Sequence, residues 1–204
     1  KFSIPIIEDA AESHGLIYND QPCGSFGLVS TFSFYANKHL TTGEGGMVVT
    51  DDDELAEKIR YYRNLTFRPE KRFVHDELGW NLRMSSLQAA LGASQLLRID
   101  RILERRRALG ETYQRSFSDL SDVQTPLAST QWGVNDYWVF GLVLVAGRAN
   151  TRDQIQAAFA DVGVGTRPFF WPLHLQPVLK SFGLGVQPSI PVAENLGSNG
   201  FYIP

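Results

Sequence analysis

Two side chains in this sequence could work together as an amine nucleophile and its electrostatic partner. Lys38 lies in the run Phe32-Ser33-Phe34-Tyr35-Ala36-Asn37-Lys38-His39-Leu40-Thr41-Thr42-Gly43-Glu44-Gly45-Gly46, where a strand-like stretch passes into a glycine-rich turn. About thirty residues upstream, Ile6-Ile7-Glu8-Asp9-Ala10-Ala11-Glu12 reads as a buried strand that delivers Asp9 at its C-terminal end. A lysine amine forms a Schiff base with an aldehyde, and a carboxylate beside a pyridine nitrogen keeps that nitrogen protonated and the ring electron-accepting. The pair therefore suits pyridoxal 5'-phosphate (PLP), which requires both.

Neither residue is specific alone. A lysine in a turn is ordinarily a solvated cation, and a carboxylate after a strand is often a helix N-cap. The neighbours make the difference. Gly43, Gly45 and Gly46 let the backbone approach a bulky group or take positive φ, and Ser33 offers a hydroxyl and nearby N–H groups to a phosphate at a strand end. Glu12, three residues past Asp9, would reach the ring's phenolic oxygen if a helical turn follows Asp9. A phosphate-loop nucleotide site fails, because the Gly-Lys-Ser/Thr and the helix-opening G-x-G-x-x-G are missing.

Alternating short strands and helices must hold these groups. Residues 4–7, 29–34 and 47–50 are predicted strands, and Asp51-Asp52-Asp53 caps a helix to about Asn64 with Leu55, Ile59 and Tyr62 on one face. Residues 65–83 show no period and read as an excursion. Ser85 and Gln88 form a capping box for a long helix, bent near Arg98–Asp100, with Leu87, Leu91, Ile99, Leu103, Leu109, Tyr113 and Phe117 at helical spacing. Residues 137–145 then read as a strand, and Thr151 and Gln154 cap a helix that Gly163 stops. Residues 165–169 resume extended chain, and 182–191 read as loop.

Composition narrows the function classes. With 204 residues, 43% apolar and 20% charged, the chain can bury a core in one large or two small domains. A net charge of -3 gives no case for nucleic acid or an anionic membrane, leaving small molecules or protein as partners. The single cysteine, Cys23, can form no internal disulfide and belongs to no zinc pattern, which fits a reducing cytoplasm and no metal site. Apolar runs such as 139–146 are too short to cross a bilayer, and no leader precedes them. The chain opens without methionine in a strand pattern and stops without a closing helix, and so reads as an internal fragment.

The run Glu8-Asp9-Ala10-Ala11-Glu12, then Ser30-Thr31-Phe32-Ser33-Phe34 with Asn37-Lys38, and Thr42-Gly43-Glu44-Gly45-Gly46 resembles the PLP-dependent nucleotide-sugar aminotransferases of the aspartate aminotransferase fold. Gly79-Trp80-Asn81-Leu82-Arg83-Met84 is similar to that family's segment reaching into the neighbouring subunit's site, and Arg167-Pro168-Phe169-Phe170-Trp171-Pro172-Leu173-His174 to its sugar-facing motif.

The resemblance implies an α/β chain: part of a fold type I large domain with a mixed, mostly parallel sheet over residues 1–98, then a connecting helix and a small α+β domain over 99–204. It implies Lys38 as the Schiff-base and proton-carrying residue, Asp9 at the pyridinium, Glu12 at the ring hydroxyl and Ser33 at the phosphate. Asn81 would contact the other subunit's phosphate, with Arg83 as an alternative there or a substrate contact, and Arg167, Trp171 and His174 would face the sugar nucleotide. It further implies glutamate as amino donor, a homodimer with shared sites, and the branch that aminates C4 of GDP-4-keto-6-deoxymannose for polysaccharide biosynthesis. A sister branch with histidine in place of the lysine dehydrates its substrate; Lys38 argues against it, although His39 is adjacent. A non-catalytic module that binds PLP or a sugar nucleotide is the competing reading, and it has no need for Lys38 and Asp9 together. The family's PLP-stacking aromatic ring and most of its phosphate turn lie in a part with no match here.

Overall fold

The computed structural model describes residues 2–145, 151–184 and 189–204. Its elements run β1 (Ile7–Asp9), β2 (Ile17–Tyr18), β3 (Gln21–Pro22), β4 (Val29–Ser33), β5 (Gly46–Val49), α1 (Asp53–Arg63), α2 (Ser86–Leu96) and α3 (Ile99–Phe117). They continue with β6 (Val123–Gln124), β7 (Ser129–Thr130), β8 (Gly133–Val134), β9 (Phe140–Leu144), α4 (Arg152–Asp161) and β10 (Arg167–Pro168). A 3₁₀ turn at Leu173–Leu175, α5 (Pro177–Ser181), α6 (Pro191–Asn199) and β11 (Gly200–Ile203) complete them. The chain divides into two compact units, residues 1–106 with 129–138, and residues 107–128 with 139–204.

In the first unit the sheet is mixed, in the order β1-β4-β5. β1 pairs parallel to β4 with Asp9 opposite Thr31, and β4 pairs antiparallel to β5 with Ser33 opposite Gly46. The expected strand at 4–7 is displaced to 7–9, since Pro5 lacks a donor and Ser3 is left-handed at φ 48°. It is an edge strand and not a buried one: Ile6 and Ile7 are 60% and 74% exposed. The carboxylate of Glu8 ties this edge down by accepting from the N–H groups of Gly24 and Phe26 and from the Ser30 hydroxyl.

The helices start where their caps direct. Asp52 accepts from the Leu55 N–H at 2.9 Å, and Ser85 with Gln88 forms a full capping box. The predicted long helix is two, α2 and α3, broken at 97–98. Its expected apolar stripe is corrected in part: Leu87 is 86%, Leu91 49% and Leu96 60% exposed, and Gly92 is the buried residue of α2. Glycine at position 92 permits close approach, because a Cβ there would lie 2.9 Å from the Thr42 methyl.

The second unit is a four-stranded antiparallel sheet in the order β10-β11-β9-β6, with Phe140, Leu142, Phe201 and Ile203 in its core. Thr151 and Gln154 make the predicted capping box for α4. The strand expected over 137–145 begins at Phe140, because Tyr137 is left-handed at φ 49°, and β11 lies between β9 and β10. A helix, α6, and a strand, β11, occupy 191–203, a stretch for which no element was predicted; Gly197 inside the helix weakens the local signal that Pro191 in its first turn provides. The expected loop at 182–191 falls partly on 185–188, outside the described residues. Among the described residues no helix is long and apolar enough to cross a membrane, and no group of His, Cys, Asp and Glu could hold a metal.

Candidate active site

Lys38 stands in the turn between β4 and β5, at the carboxyl end of the parallel pair β1 and β4, the position where open α/β sheets bind ligands. Because side chains alternate along a strand, Asp9 and its partner Thr31 share a sheet face with Ser33. Asp9 ends β1, is exposed, and accepts from the Ala11 N–H at 3.0 Å, so the chain turns after it without starting an α-helix. The turn brings Glu12 back: its carboxylate lies 3.5 Å from Lys38 Nζ, with the Lys38 side chain only 8% exposed. Ser33 Oγ accepts from the Tyr35 N–H at 3.2 Å.

The turn is held from α2 by two amides, Gln95 and the capping-box residue Gln88. Gln95 accepts from the Thr41 N–H at 3.1 Å and donates to the Thr41 carbonyl at 2.7 Å, and Gln88 donates to the Glu44 carbonyl at 3.0 Å. Gly43 and Gly45 take φ of +80° and +139°, so the turn needs the glycines the sequence places there. Inward of it lies a largely apolar cavity of about 450 Å³, lined by His14, Phe32, Phe34, Met47, Leu96 and Leu103 among others.

His14 and His39 pack edge to ring beneath the lysine, with centroids 6.3 Å apart, and among the described residues neither ring nitrogen of either finds a hydrogen-bond partner. Burial, reinforced by the Lys38 charge, lowers the pKa of His14. Burial and then the Arg106 guanidinium push His39 down to about 4, against a smaller opposing pull from Asp136, whose backbone approaches the ring without hydrogen-bond geometry. Both imidazoles are therefore neutral near pH 7.

The other predicted site residues stand on other elements. Asn81 and Arg83 are exposed on the segment after α1. The Asn81 side-chain oxygen accepts from Arg83 Nε at 3.0 Å, and Arg83 donates to Asn64 at 3.1 Å. In the second unit, Arg167 sits on edge strand β10 opposite Tyr202, and the Trp171 indole donates to the Leu175 carbonyl at 3.3 Å. His174 Nε2 meets Glu194 Oε1 at 3.1 Å, and that carboxylate also accepts from the Ile190 N–H at 2.8 Å. The His174 contact, followed by the Ile190 bond, lowers the Glu194 pKa. The structure thus brings Lys38, Glu12, Asp9 and Ser33 to one sheet end, and groups Asn81 with Arg83.

The chain thus presents a nearly buried amine at the carboxyl end of a mixed sheet, with the Glu12 carboxylate 3.5 Å away. The chain belongs to the DegT/DnrJ/EryC1/StrS aminotransferase family, whose model matches residues 1–204. It is 35% identical over its whole length to the GDP-perosamine synthase of Caulobacter vibrioides, covering 54% of that enzyme. Among solved structures it is similar to the aminotransferase TlmJ of Streptoalloteichus hindustanus, with TM-score 0.86 and 28% identity over 98% of this chain and 53% of that one. It is also similar to the E. coli GDP-4-keto-6-deoxy-D-mannose-3-dehydratase with bound hydrated PLP, with TM-score 0.85 and 27% identity over 99% of this chain and 56% of that one. The chain spans about half the length of the curated relatives it matches.

Proposed function

We propose that this chain carries the lysine half of a PLP-dependent sugar aminotransferase. The observation that carries the reading is the nearly buried Lys38 amine, 3.5 Å from Glu12 at the sheet end that Asp9 and Ser33 share. When bound, PLP supplies the electron sink for breaking and making a C–H bond at the carbon that gains or loses the amino group. Lys38 would be the group that bonds to the cofactor's aldehyde and, as a free amine, would carry a proton to and from that carbon on Nζ. With PLP bound, Asp9 would hold a positive charge on its pyridine nitrogen, and Glu12 and the Ser33 hydroxyl would be the groups offered to its ring oxygen and phosphate.

The substrate reading is GDP-4-keto-6-deoxymannose converted to GDP-perosamine with glutamate as donor; the 35% identity to a GDP-perosamine synthase supports it. Lys38 favours amino transfer over the dehydration that the similar E. coli structure is named for. Arg167, Trp171 and His174 contribute to the nucleotide-sugar side. Asn81 and Arg83 serve a second subunit's site in a homodimer, whose contact would cover Trp80, Leu82 and Leu87, now 62%, 68% and 86% exposed.

The test is borohydride reduction after PLP addition to the full-length protein, with the stacking ring and phosphate turn present, followed by peptide mass spectrometry. A phosphopyridoxyl adduct confined to Lys38, absent in Lys38→Ala together with all turnover, is expected. An adduct spread over the surface lysines, or none on Lys38, refutes the reading.

A further inference from the structure

The segment 129–138 folds with the first unit, and its last residue bears directly on the lysine. Its hairpin of β7 and β8 lies against β2: the Asn19 N–H donates to the Trp132 carbonyl at 2.7 Å, and the Tyr18 and Trp132 rings stand 6.2 Å apart. A Cβ at Gly133 would lie 2.5 Å from the Ile17 carbonyl oxygen, so the two backbones touch. Past the hairpin, Asp136 and Tyr137 are buried, and the left-handed φ of 49° at Tyr137 turns the chain into Trp138.

Trp138 makes two contacts with the lysine turn. Its indole N–H donates to the Asn37 carbonyl at 3.0 Å, anchoring the ring to the residue before Lys38. Its ring centroid lies 3.8 Å from Lys38 Nζ, the nitrogen that Glu12 approaches at 3.5 Å. An ammonium over an indole face is attracted by the ring quadrupole, and the attraction strengthens as water is excluded; here the lysine side chain is 8% exposed.

We propose that Trp138 is a positioning residue for Lys38: its face holds the free ammonium beside Glu12, and its N–H fixes the turn on which the lysine rides. The quadrupole acts on the charged nitrogen and not on a neutral one, so Trp138 gives the side chain a defined resting place whenever it carries no cofactor. The role of that resting place in turnover rests on the aminotransferase reading; the contact does not.

The experiment uses the cofactor-free protein, with [ε-13C]lysine incorporated biosynthetically. The sequence has five lysines, so five resonances appear, and Lys38→Arg assigns the one of interest. Ring current should move the Lys38 resonance upfield of the others in wild type and in Trp138→Phe, and Trp138→Leu should return it to the surface-lysine position. Competitive labelling with an amine-reactive reagent, read by peptide mass spectrometry, should accelerate at Lys38 about fivefold in Trp138→Leu, and by much less in Trp138→Phe, which keeps an aromatic face. The other lysines should not change. An unshifted Lys38 resonance in wild type overturns the proposal without any variant, and equal labelling in the Phe and Leu variants would reduce Trp138 to steric cover and overturn it too. Because neither readout needs PLP, a failure here is distinct from a failure of the borohydride test on Lys38.

Discussion

Acid should loosen the lysine turn from beneath, and His39 is the group through which it acts. The imidazole is 5% exposed, and its pKa falls from an ordinary 6.5 to about 4. As pH drops below the ordinary value, the unfolded chain binds a proton that the folded chain refuses. Stability is thus full above about pH 6.5, is lost between there and about pH 4, and changes no further through this residue below that. A displacement of roughly two and a half units at 1.36 kcal/mol each makes the loss about 3 kcal/mol, a large share of an ordinary domain's stability. The groups facing the ring do not cancel it: burial dominates, Arg106 on α3 and His14 add to it, and Asp136 opposes it only in part. His14, also lowered, should steepen the wild-type profile further. Urea unfolding followed across this pH range in wild type, His39→Gln and His39→Leu supplies the measurement. Both variants should show a profile flatter than wild type by about 3 kcal/mol over the range, whatever their stability at neutral pH. Three parallel profiles would refute the reasoning, since the histidine would then not be neutral and buried in the folded chain.

Two substitutions probe the sheet edge that carries Asp9. Glu8→Ala removes a carboxylate that accepts from two backbone N–H groups and a hydroxyl, and should cost about 3 kcal/mol by urea denaturation at neutral pH. Burial works against the Glu8 carboxylate, but the bonds from Gly24, Phe26 and Ser30 together outweigh it and leave its pKa lowered. Its contribution should therefore be full above the ordinary 4.5 and weaken as pH falls below that, so that the gap between wild type and Glu8→Ala narrows in acid. Gly27→Ala would set a Cβ 2.7 Å from the Val29 oxygen, 2.9 Å from the Ile6 oxygen and 3.0 Å from the Glu8 nitrogen. All three are backbone atoms that cannot swing aside, so a loss toward the upper end of about 1–3 kcal/mol is expected; a neutral effect in thermal unfolding would contradict the packing at that edge.

The sequence by itself determined what a few consecutive residues can decide. The caps at Asp52, Ser85 and Thr151 form because a side-chain oxygen reaches an N–H three residues on, and β4 and β5 follow from short runs bounded by breakers. The order Asp9, Glu12, Ser33, Lys38 and the glycines after it were readable for the same reason. Tertiary structure alone decided what surrounds them. Ile6 and Ile7 carry the composition of a buried strand, yet lie exposed, because burial belongs to what packs on a face and not to the residues that form it. β11 became a central strand by pairing with β9 some sixty residues upstream, a partner no local window contains. Gln95 grips Thr41 from 54 positions away, and the Trp138 indole reaches the Asn37 carbonyl across 101. Such contacts exist only after loop closure has been overcome by the burial and hydrogen bonds it allows, so residue type and spacing named the lysine, and the folded chain supplied the ring beneath it.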